Sequence, residues 1–171
     1  ILIEAIALCT QQGLDLKLVF VGDGQYRSML ETQAARLGVG DRCQFLGQLT
    51  TGSAVRDWLD QTDLFVLPSR QEGLPRAMVE AMARGLPCLG STVGGMPELL
   101  LSEDLVPPTN VSALASKIRE TVTDPERLSR MSERNLARAQ DYREDCICDR
   151  RTTFYKKLWQ LTESWLSQHK G

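Results

Sequence analysis

The fold is decided by residues 63–87, which read DLFVLPSRQEGLPRAMVEAMARGLP. The first five residues are an apolar run of strand length that stops at Pro68. Residues 77–84 then carry apolar side chains at helical spacing, and Gly85 is placed to end that helix. The stretch therefore predicts a strand, a glycine-containing loop and a helix, with another strand beginning at Pro87.

The same unit recurs on both sides of this stretch. We predict further strands at 16–21, 42–46, 87–90 and 104–106, and further helices at 1–12, 26–37 and 53–60. Strands that alternate with helices through short turns indicate an α/β fold, here a Rossmann-like parallel sheet with helices on both faces. Because both faces of such a sheet are covered, its strands are apolar throughout and do not alternate.

The last third of the chain is predicted to be helical, with helices at 112–122, 126–140 and 149–165. The final helix carries a wide apolar stripe made of Phe154, Leu158, Leu161 and Trp165, widened by Tyr155 and Trp159. Such a stripe needs a covering surface, which is either the chain's own domain or a domain outside this segment. We expect a single domain over residues 1–171 with a helical tail at about 141–171.

Composition excludes several classes of protein. The chain of 171 residues is 42% hydrophobic and 25% charged, the balance of a globular domain with one core. A formal net charge of −2 gives no reason to expect a nucleic-acid partner. The five cysteines show neither a disulfide framework nor the ligand spacing of a metal site. Reduced thiols fit a cytoplasmic location, which is our expectation.

Four loops follow predicted strands, at 22–24, 47–49, 69–75 and 94–98. Ligands of open parallel sheets bind at the carboxyl ends of the strands, so we expect these loops to converge on one crevice. The loop at 22–24 is either a tight turn or a segment whose backbone lies close to a ligand. Arg27 stands where a Gly-x-Gly-x-x-Gly fingerprint requires glycine, which argues against an NAD-dependent dehydrogenase.

The loop at 69–75 carries the clearest chemistry. Pro75 at the start of a helix leaves the first-turn amides free, and Gly73 allows close approach to the backbone, so this helix end suits a diphosphate. Glu72 precedes the helix end, and Glu80 lies eight residues later inside the helix. Glu80 is either on an exposed face or accepts hydrogen bonds from two vicinal hydroxyls, such as those of a ribose.

These residues resemble the C-terminal, donor-binding domain of family 4 retaining glycosyltransferases. The match to the signature E-G-x-x-x-x-x-x-E-A-M-A-x-G-x-P runs from Glu72 to Pro87, with support from residues 21–24, 45–47 and 94–98. The resemblance covers roughly residues 1–160 in the right order. It implies one half of a GT-B fold, in which two Rossmann-like domains enclose a nucleotide-diphosphate sugar that is held mainly by the C-terminal one.

The resemblance implies a role for each matched position. Glu72 would be the catalytic residue that contacts hydroxyls of the donor sugar, and Glu80 would bind the ribose. The other donor-binding positions would be Gly22, Asp23, Gly24, Gln48, Leu49, Gly73, Leu74 and Pro75, with the base contacted by the backbone of Gln48 and Leu49. Transfer would retain the configuration of the sugar, with no cofactor and no required metal.

Two parts of a complete enzyme of this family fall outside the sequence. The resemblance places an Arg and a Lys that clamp the phosphates upstream of Ile1, and it assigns acceptor binding to a separate N-terminal domain. The residues from Ile1 onward have the pattern of a helix whose beginning is missing. We therefore expect that the chain is a fragment that starts just after an upstream strand, and that the fragment is inactive alone. The family also implies peripheral contact with the inner face of the plasma membrane for the full-length protein.

Alternatives to a transferase remain open. A nucleotide-sugar epimerase of the same architecture would need acid and base residues that the chain does not show, and a non-catalytic nucleotide-binding module would keep only the fold. The sequence Glu-Gly-Leu-Pro-Arg, which ends at Arg76, resembles that of a branch of the family that is frequent among bacterial polysaccharide-assembly transferases. Because a cation is unfavourable at a helix N-terminus, Arg76 either contacts a phosphate or is solvated.

Overall fold

The structure is a computed structural model that describes residues 1–169, so the last two residues of the predicted tail, Lys170 and Gly171, lie outside the described residues. Its α-helices are α1 (Leu2–Gln11), α2 (Arg27–Arg36), α3 (Gly52–Leu59), α4 (Arg76–Ala83), α5 (Met96–Leu99), α6 (Val111–Val122), α7 (Pro125–Ala139) and α8 (Glu144–Gln168). Single 3-10 turns lie at Gly40–Arg42, Ser102–Asp104 and Gln140–Tyr142.

The strands are β1 (Leu18–Phe20), β2 (Cys43–Phe45), β3 (Phe65–Leu67), β4 (Cys88–Ser91) and β5 (Leu105–Val106). All paired strands are parallel, which confirms the predicted α/β fold. The pairing forms two sheets, β1-β2 and β3-β4-β5, where we expected one. Apolar runs and turns predict that strands are parallel, but not which strands are neighbours, and in the described residues β1 and β3 share no ladder.

Helices cover both faces of the three-stranded sheet, as predicted. On one face, Leu89 of β4 is fully buried in a cluster with residues of α1 and α6, such as Ala5 and Leu114. On the other face, Cys88 is fully buried with Met78 and Met82 of α4. Consecutive residues of β4 therefore face opposite helical layers, which is why this strand is apolar without alternation.

Helix α8 differs from its prediction in two ways. It begins at Glu144, five residues before the predicted start at residue 149, and all of its residues from 149 onward are exposed. Trp159, for example, keeps 68% of its surface accessible. Of the two alternatives for the covering surface, the described part of the chain's own domain is therefore excluded. The sequence left this open because helical periodicity identifies an apolar face without identifying the surface that covers it.

Two further findings concern the whole of the described chain. No helix between residues 1 and 169 is long and apolar enough to cross a membrane. The five cysteines are free thiols, as the lack of a disulfide framework predicted. Cys9 and Cys88 are buried, whereas Cys148 is exposed.

Candidate functional site

The loop between β3 and α4 holds the carboxylate of Glu72 in a defined position. The hydroxyl of Ser69 donates a hydrogen bond to Oε1 of Glu72 over 2.6 Å. The side chain of Glu72 is half-buried, and its Oε2 accepts no hydrogen bond from residues 1–169. The structure therefore leaves one oxygen of Glu72 free to accept hydrogen bonds from a ligand.

The loop after β4 supports the backbone of Glu72 and Gly73. The amide of Gly95 donates to the carbonyl of Gly73 over 2.8 Å. A Cβ at Gly94 would lie 1.8 Å from the carbonyl oxygen of Glu72, and a Cβ at Gly95 would lie 2.7 Å from that of Gly73. Only a Gly-Gly pair therefore allows the two loops to approach this closely.

Sequence reasoning missed the two serines that connect these loops. Ser91, the fully buried last residue of β4, donates its hydroxyl to the carbonyl of Ser69. Ser69 in turn donates to Glu72, so the three residues form a chain of hydrogen bonds from the sheet to the carboxylate. The only signal in the sequence is that both serines stand near the carboxyl ends of apolar strands.

The start of α4 presents unpaired amides, as the sequence predicted, although its first helical residue is Arg76 and Pro75 is the N-cap. No side chain caps this end, and the carbonyl of Pro75 accepts from Met78 and Val79. In the described residues the amides of Arg76 and Ala77 donate to no acceptor. The positive end of the α4 dipole, four residues after Glu72 in the sequence, therefore favours an anion.

Glu80 lies on the outer face of α4. Its side chain is exposed, whereas Met78, Ala81 and Met82 on the same helix are fully buried. Residues 1–169 supply no ion pair or hydrogen bond to its carboxylate. The structure thus places Glu80 on an exposed face, and its role toward a ribose stays a prediction. Arg76 is exposed as well.

The loops after β1 and β2 are joined to each other. The amide of Gly22 donates to the carbonyl of Gly47 over 2.8 Å, which forms an isolated antiparallel bridge. Gly22 has a φ of 122°, a conformation that favours glycine. Asp23 is exposed, and its Oδ1 accepts from the amide of Gly24 over 2.8 Å. The backbone of loop 22–24 is therefore joined to the loop after β2, and the turn into α2 lies at residues 25–26. Contact of loop 22–24 with a ligand stays a prediction.

Arg27 links the start of α2 to the carboxyl end of β2, a role that sequence reasoning did not assign to it. Its Nη2 donates to the carbonyl of Phe45 over 2.9 Å, and its Nε pairs with Glu31 at 2.9 Å. Of the predicted base-binding positions beyond β2, Gln48 is exposed and Leu49 is half-buried.

The four predicted loops are thus joined in two pairs, 22–24 with 47–49 and 69–75 with 94–98. No hydrogen bond or β-bridge between residues 1 and 169 connects one pair to the other, so their convergence on one crevice stays a prediction. Within the described chain, no three His, Cys, Asp or Glu residues are grouped in a way that could hold a metal ion. Two open depressions lie along α8 and share no residue with these loops.

Comparison with known proteins gives a consistent match. The family model described as "Glycosyl transferases group 1" matches residues 1–138. The amylovoran biosynthesis glycosyltransferase AmsK of Erwinia amylovora is 34% identical over 123 residues, which are 67% of this chain and 30% of that protein. The chain spans about a third of the length of the curated relatives it matches.

Solved structures support the same likeness. Sucrose-phosphate synthase of Thermosynechococcus elongatus matches with a TM-score of 0.80 and 26% identity, over 93% of this chain and 42% of that one. HepE of Anabaena, solved in complex with UDP, matches with a TM-score of 0.75 and 27% identity, over 95% of this chain and 44% of that one. These neighbours are glycosyltransferases of the GT-B architecture, which confirms the expected Rossmann-like half.

Proposed function

Because the chain belongs to the glycosyl transferases group 1 family, we propose that it is the donor-binding domain of a retaining, family 4 glycosyltransferase. In this proposal the full-length enzyme is a hexosyltransferase that transfers a sugar from a nucleotide-diphosphate sugar to an acceptor. The crystal structure of the similar protein HepE with UDP supports this choice of donor.

One observation carries the proposal. Glu72, which has one oxygen free, stands four residues before the uncapped start of α4, where the amides of Arg76 and Ala77 are unpaired. A carboxylate oxygen accepts hydrogen bonds from sugar hydroxyls, and a helix N-terminus binds phosphate. In a nucleotide-diphosphate sugar, the ring that carries the hydroxyls is bonded to the diphosphate, so this ligand matches both features at once.

In this proposal the individual residues have the roles that the resemblance implies. Glu72 orients the donor sugar through its hydroxyls, while the backbone of Gly73 and Leu74 and of the residues next to Pro75 faces the sugar and diphosphate. Glu80 accepts the ribose hydroxyls from the outer face of α4. The remaining contacts come from the backbone of Gln48 and Leu49 to the base and from residues 22–24 to the same donor.

The catalytic contribution of this domain is electrostatic. As the bond between sugar and diphosphate breaks, negative charge grows on the departing diphosphate, and fixed amides at the start of α4 stabilise that charge without reorganising. In this proposal the sugar is transferred with retention of configuration, and neither a metal ion nor a cofactor is needed.

The acceptor is assigned to the part of the longer protein that this chain does not span. The similarity to an amylovoran biosynthesis glycosyltransferase favours a role in bacterial polysaccharide or glycoconjugate synthesis. We place the full-length enzyme in the cytoplasm, with peripheral contact at the inner face of the plasma membrane. The net charge of −2 gives no support for nucleic acid as a partner.

Calorimetric titration of the chain with UDP, GDP, ADP and their hexose conjugates tests the proposal. We expect one nucleoside diphosphate to bind, and its sugar conjugate to bind more tightly. Glu72→Gln should remove the additional affinity that the sugar provides, whereas Glu80→Gln should weaken the binding of the nucleoside diphosphate itself. Glu163→Gln is a matched control, because Glu163 is also exposed on a helix but lies on α8, outside the four predicted loops. Absence of binding by all six ligands would contradict the proposal.

A further inference from the structure

We propose that Ser69 is a positioning residue that holds the carboxylate of Glu72 in the orientation required by the sugar of the donor. This inference rests on the proposed function, because it concerns the same carboxylate. It adds a residue to the predicted donor site and explains how a loop side chain is kept in one conformation.

The hydrogen bond between the two side chains is of the strong type. The hydroxyl of Ser69 lies 2.6 Å from Oε1 of Glu72, within the range of hydrogen bonds from hydroxyls to carboxylates. A free glutamate side chain loses considerable rotamer freedom when a ligand orders it. Because Ser69 already orders Glu72, a donor sugar meets a preorganised acceptor and loses less affinity to that ordering.

Ser69 is itself fixed from the sheet. The hydroxyl of Ser91 donates to the carbonyl of Ser69, and Ser91 is fully buried at the carboxyl end of β4. Ser69 therefore has a backbone anchored to the neighbouring strand and a side chain directed to Glu72. The position of the carboxylate is thus set by the sheet and not by the loop alone.

The geometry also leaves one oxygen of Glu72 without a partner in the described chain. Oε1 is engaged by Ser69, whereas Oε2 accepts no hydrogen bond from the described residues. The backbone of Glu72 cannot move toward the Gly94-Gly95 turn, because these chains are already in close contact. The remaining freedom of the side chain is rotation about its own bonds, and the bond from Ser69 restricts that rotation.

The test compares Ser69→Ala, Ser69→Thr and the control Ser112→Ala, which removes an exposed hydroxyl from α6 that makes no side-chain hydrogen bond in the described chain. Each variant is titrated with UDP, UDP-glucose, GDP, GDP-mannose, ADP and ADP-glucose. For the nucleotide that binds, Ser69→Ala should leave the affinity for the diphosphate within about twofold and weaken the sugar conjugate about tenfold. Ser69→Thr, which keeps the hydroxyl, should recover most of that loss, and Ser112→Ala should match the unmodified chain.

A double-mutant cycle makes the inference specific to Glu72. If Ser69 acts through the carboxylate, Ser69→Ala should have no further effect on the sugar conjugate when Glu72→Gln is already present. Independent, additive losses would overturn the inference, as would equal losses for the diphosphate and its sugar conjugate. If the unmodified chain binds a diphosphate and its conjugate but Ser69→Ala changes neither, the positioning role fails while the proposed function stands. If the unmodified chain binds none of the six ligands, the proposed function fails.

Discussion

The carbonyl oxygen of Glu72 lies 1.8 Å from the point where a Cβ at Gly94 would stand. Gly94 also has a φ of 52°, a conformation that side chains of L-residues rarely adopt. Both restrictions act on the turn that supports the loop between β3 and α4. The backbone position of Glu72, the predicted catalytic residue, therefore depends on a glycine 22 residues away in the sequence.

Gly94→Ala should therefore destabilise the protein and displace Glu72. The positive φ alone costs about 1–2 kcal/mol for alanine, and the clash with a backbone oxygen adds to that cost because a peptide cannot rotate away as a side chain does. We expect the free energy of unfolding to fall by more than about 3 kcal/mol, as measured by urea denaturation.

Gly13→Ala separates these two effects. Gly13 has a φ of 86°, but a Cβ there would meet no atom within 4 Å. This control should cost only about 1–2 kcal/mol, the value for strain alone. Equal losses for the two variants would show that the contact between Gly94 and Glu72 does not constrain the site.

Neutralising Asp104 should lower the free energy of unfolding more than neutralising any other acidic residue of the described chain. It is fully buried, and it pairs with Arg127 at 3.1 Å and with Arg134, which joins the turn before β5 to α7. Asp104→Asn removes the buried counter-charge of two partly buried guanidinium groups and leaves them only the more exposed Glu120 and Glu103, each at 3.5 Å. We therefore expect a loss of about 2–4 kcal/mol in the free energy of unfolding.

Asp60→Asn is the matched control for Asp104→Asn. Asp60 also uses both carboxylate oxygens, but it pairs with Arg84 alone, and both side chains are about 40% exposed. Exposed ion pairs contribute less than about 1 kcal/mol, so Asp60→Asn should lower the free energy of unfolding, measured by urea denaturation, by less than that. A loss at Asp104 as small as that at Asp60 would contradict the importance of the buried pair.

The cysteines should react with a thiol reagent in an order set by burial. Burial raises the pKa of the Cys88 thiol to about 12, so at pH 8 roughly one molecule in 10,000 carries the reactive thiolate. Burial also raises the pKa of Cys9. Cys148 is exposed. Labelling with iodoacetamide followed by peptide mass spectrometry should modify Cys148 first, and Cys88 only after denaturation. Early modification of Cys88 in the folded chain would contradict its place in the core.

Much of the fold could be predicted from the sequence because local rules govern it. Apolar runs such as residues 63–67 indicated strands, and the glycines that follow helices indicated helix ends, so each predicted strand lies within two residues of its observed start. The loop from Ser69 to Pro75 was predicted as the site because it follows a strand and precedes a helix.

The tertiary contacts of that site could not be predicted in the same way. The hydrogen bond from Ser91 to Ser69 and the contact of Gly94 with Glu72 join loops that are far apart in sequence. Such contacts depend on the register between β3 and β4, which residue types alone do not determine. The division of the strands into two sheets was also unpredicted, because apolar runs do not show which strands are neighbours.

Substitutions in the apolar stripe of α8 should leave the stability of the chain nearly unchanged, because no described residue covers that stripe. Leu158 is 48% exposed in α8, whereas Leu114 is fully buried between α6 and its neighbours. Leu158→Ala should change the free energy of unfolding by less than about 0.5 kcal/mol, and the matched Leu114→Ala should cost about 2–5 kcal/mol through the cavity that it leaves. Urea denaturation of both variants gives the comparison. A loss above about 1 kcal/mol for Leu158→Ala would show that α8 packs on the chain's own domain after all, whereas the expected difference means that the stripe remains available to a surface outside residues 1–169.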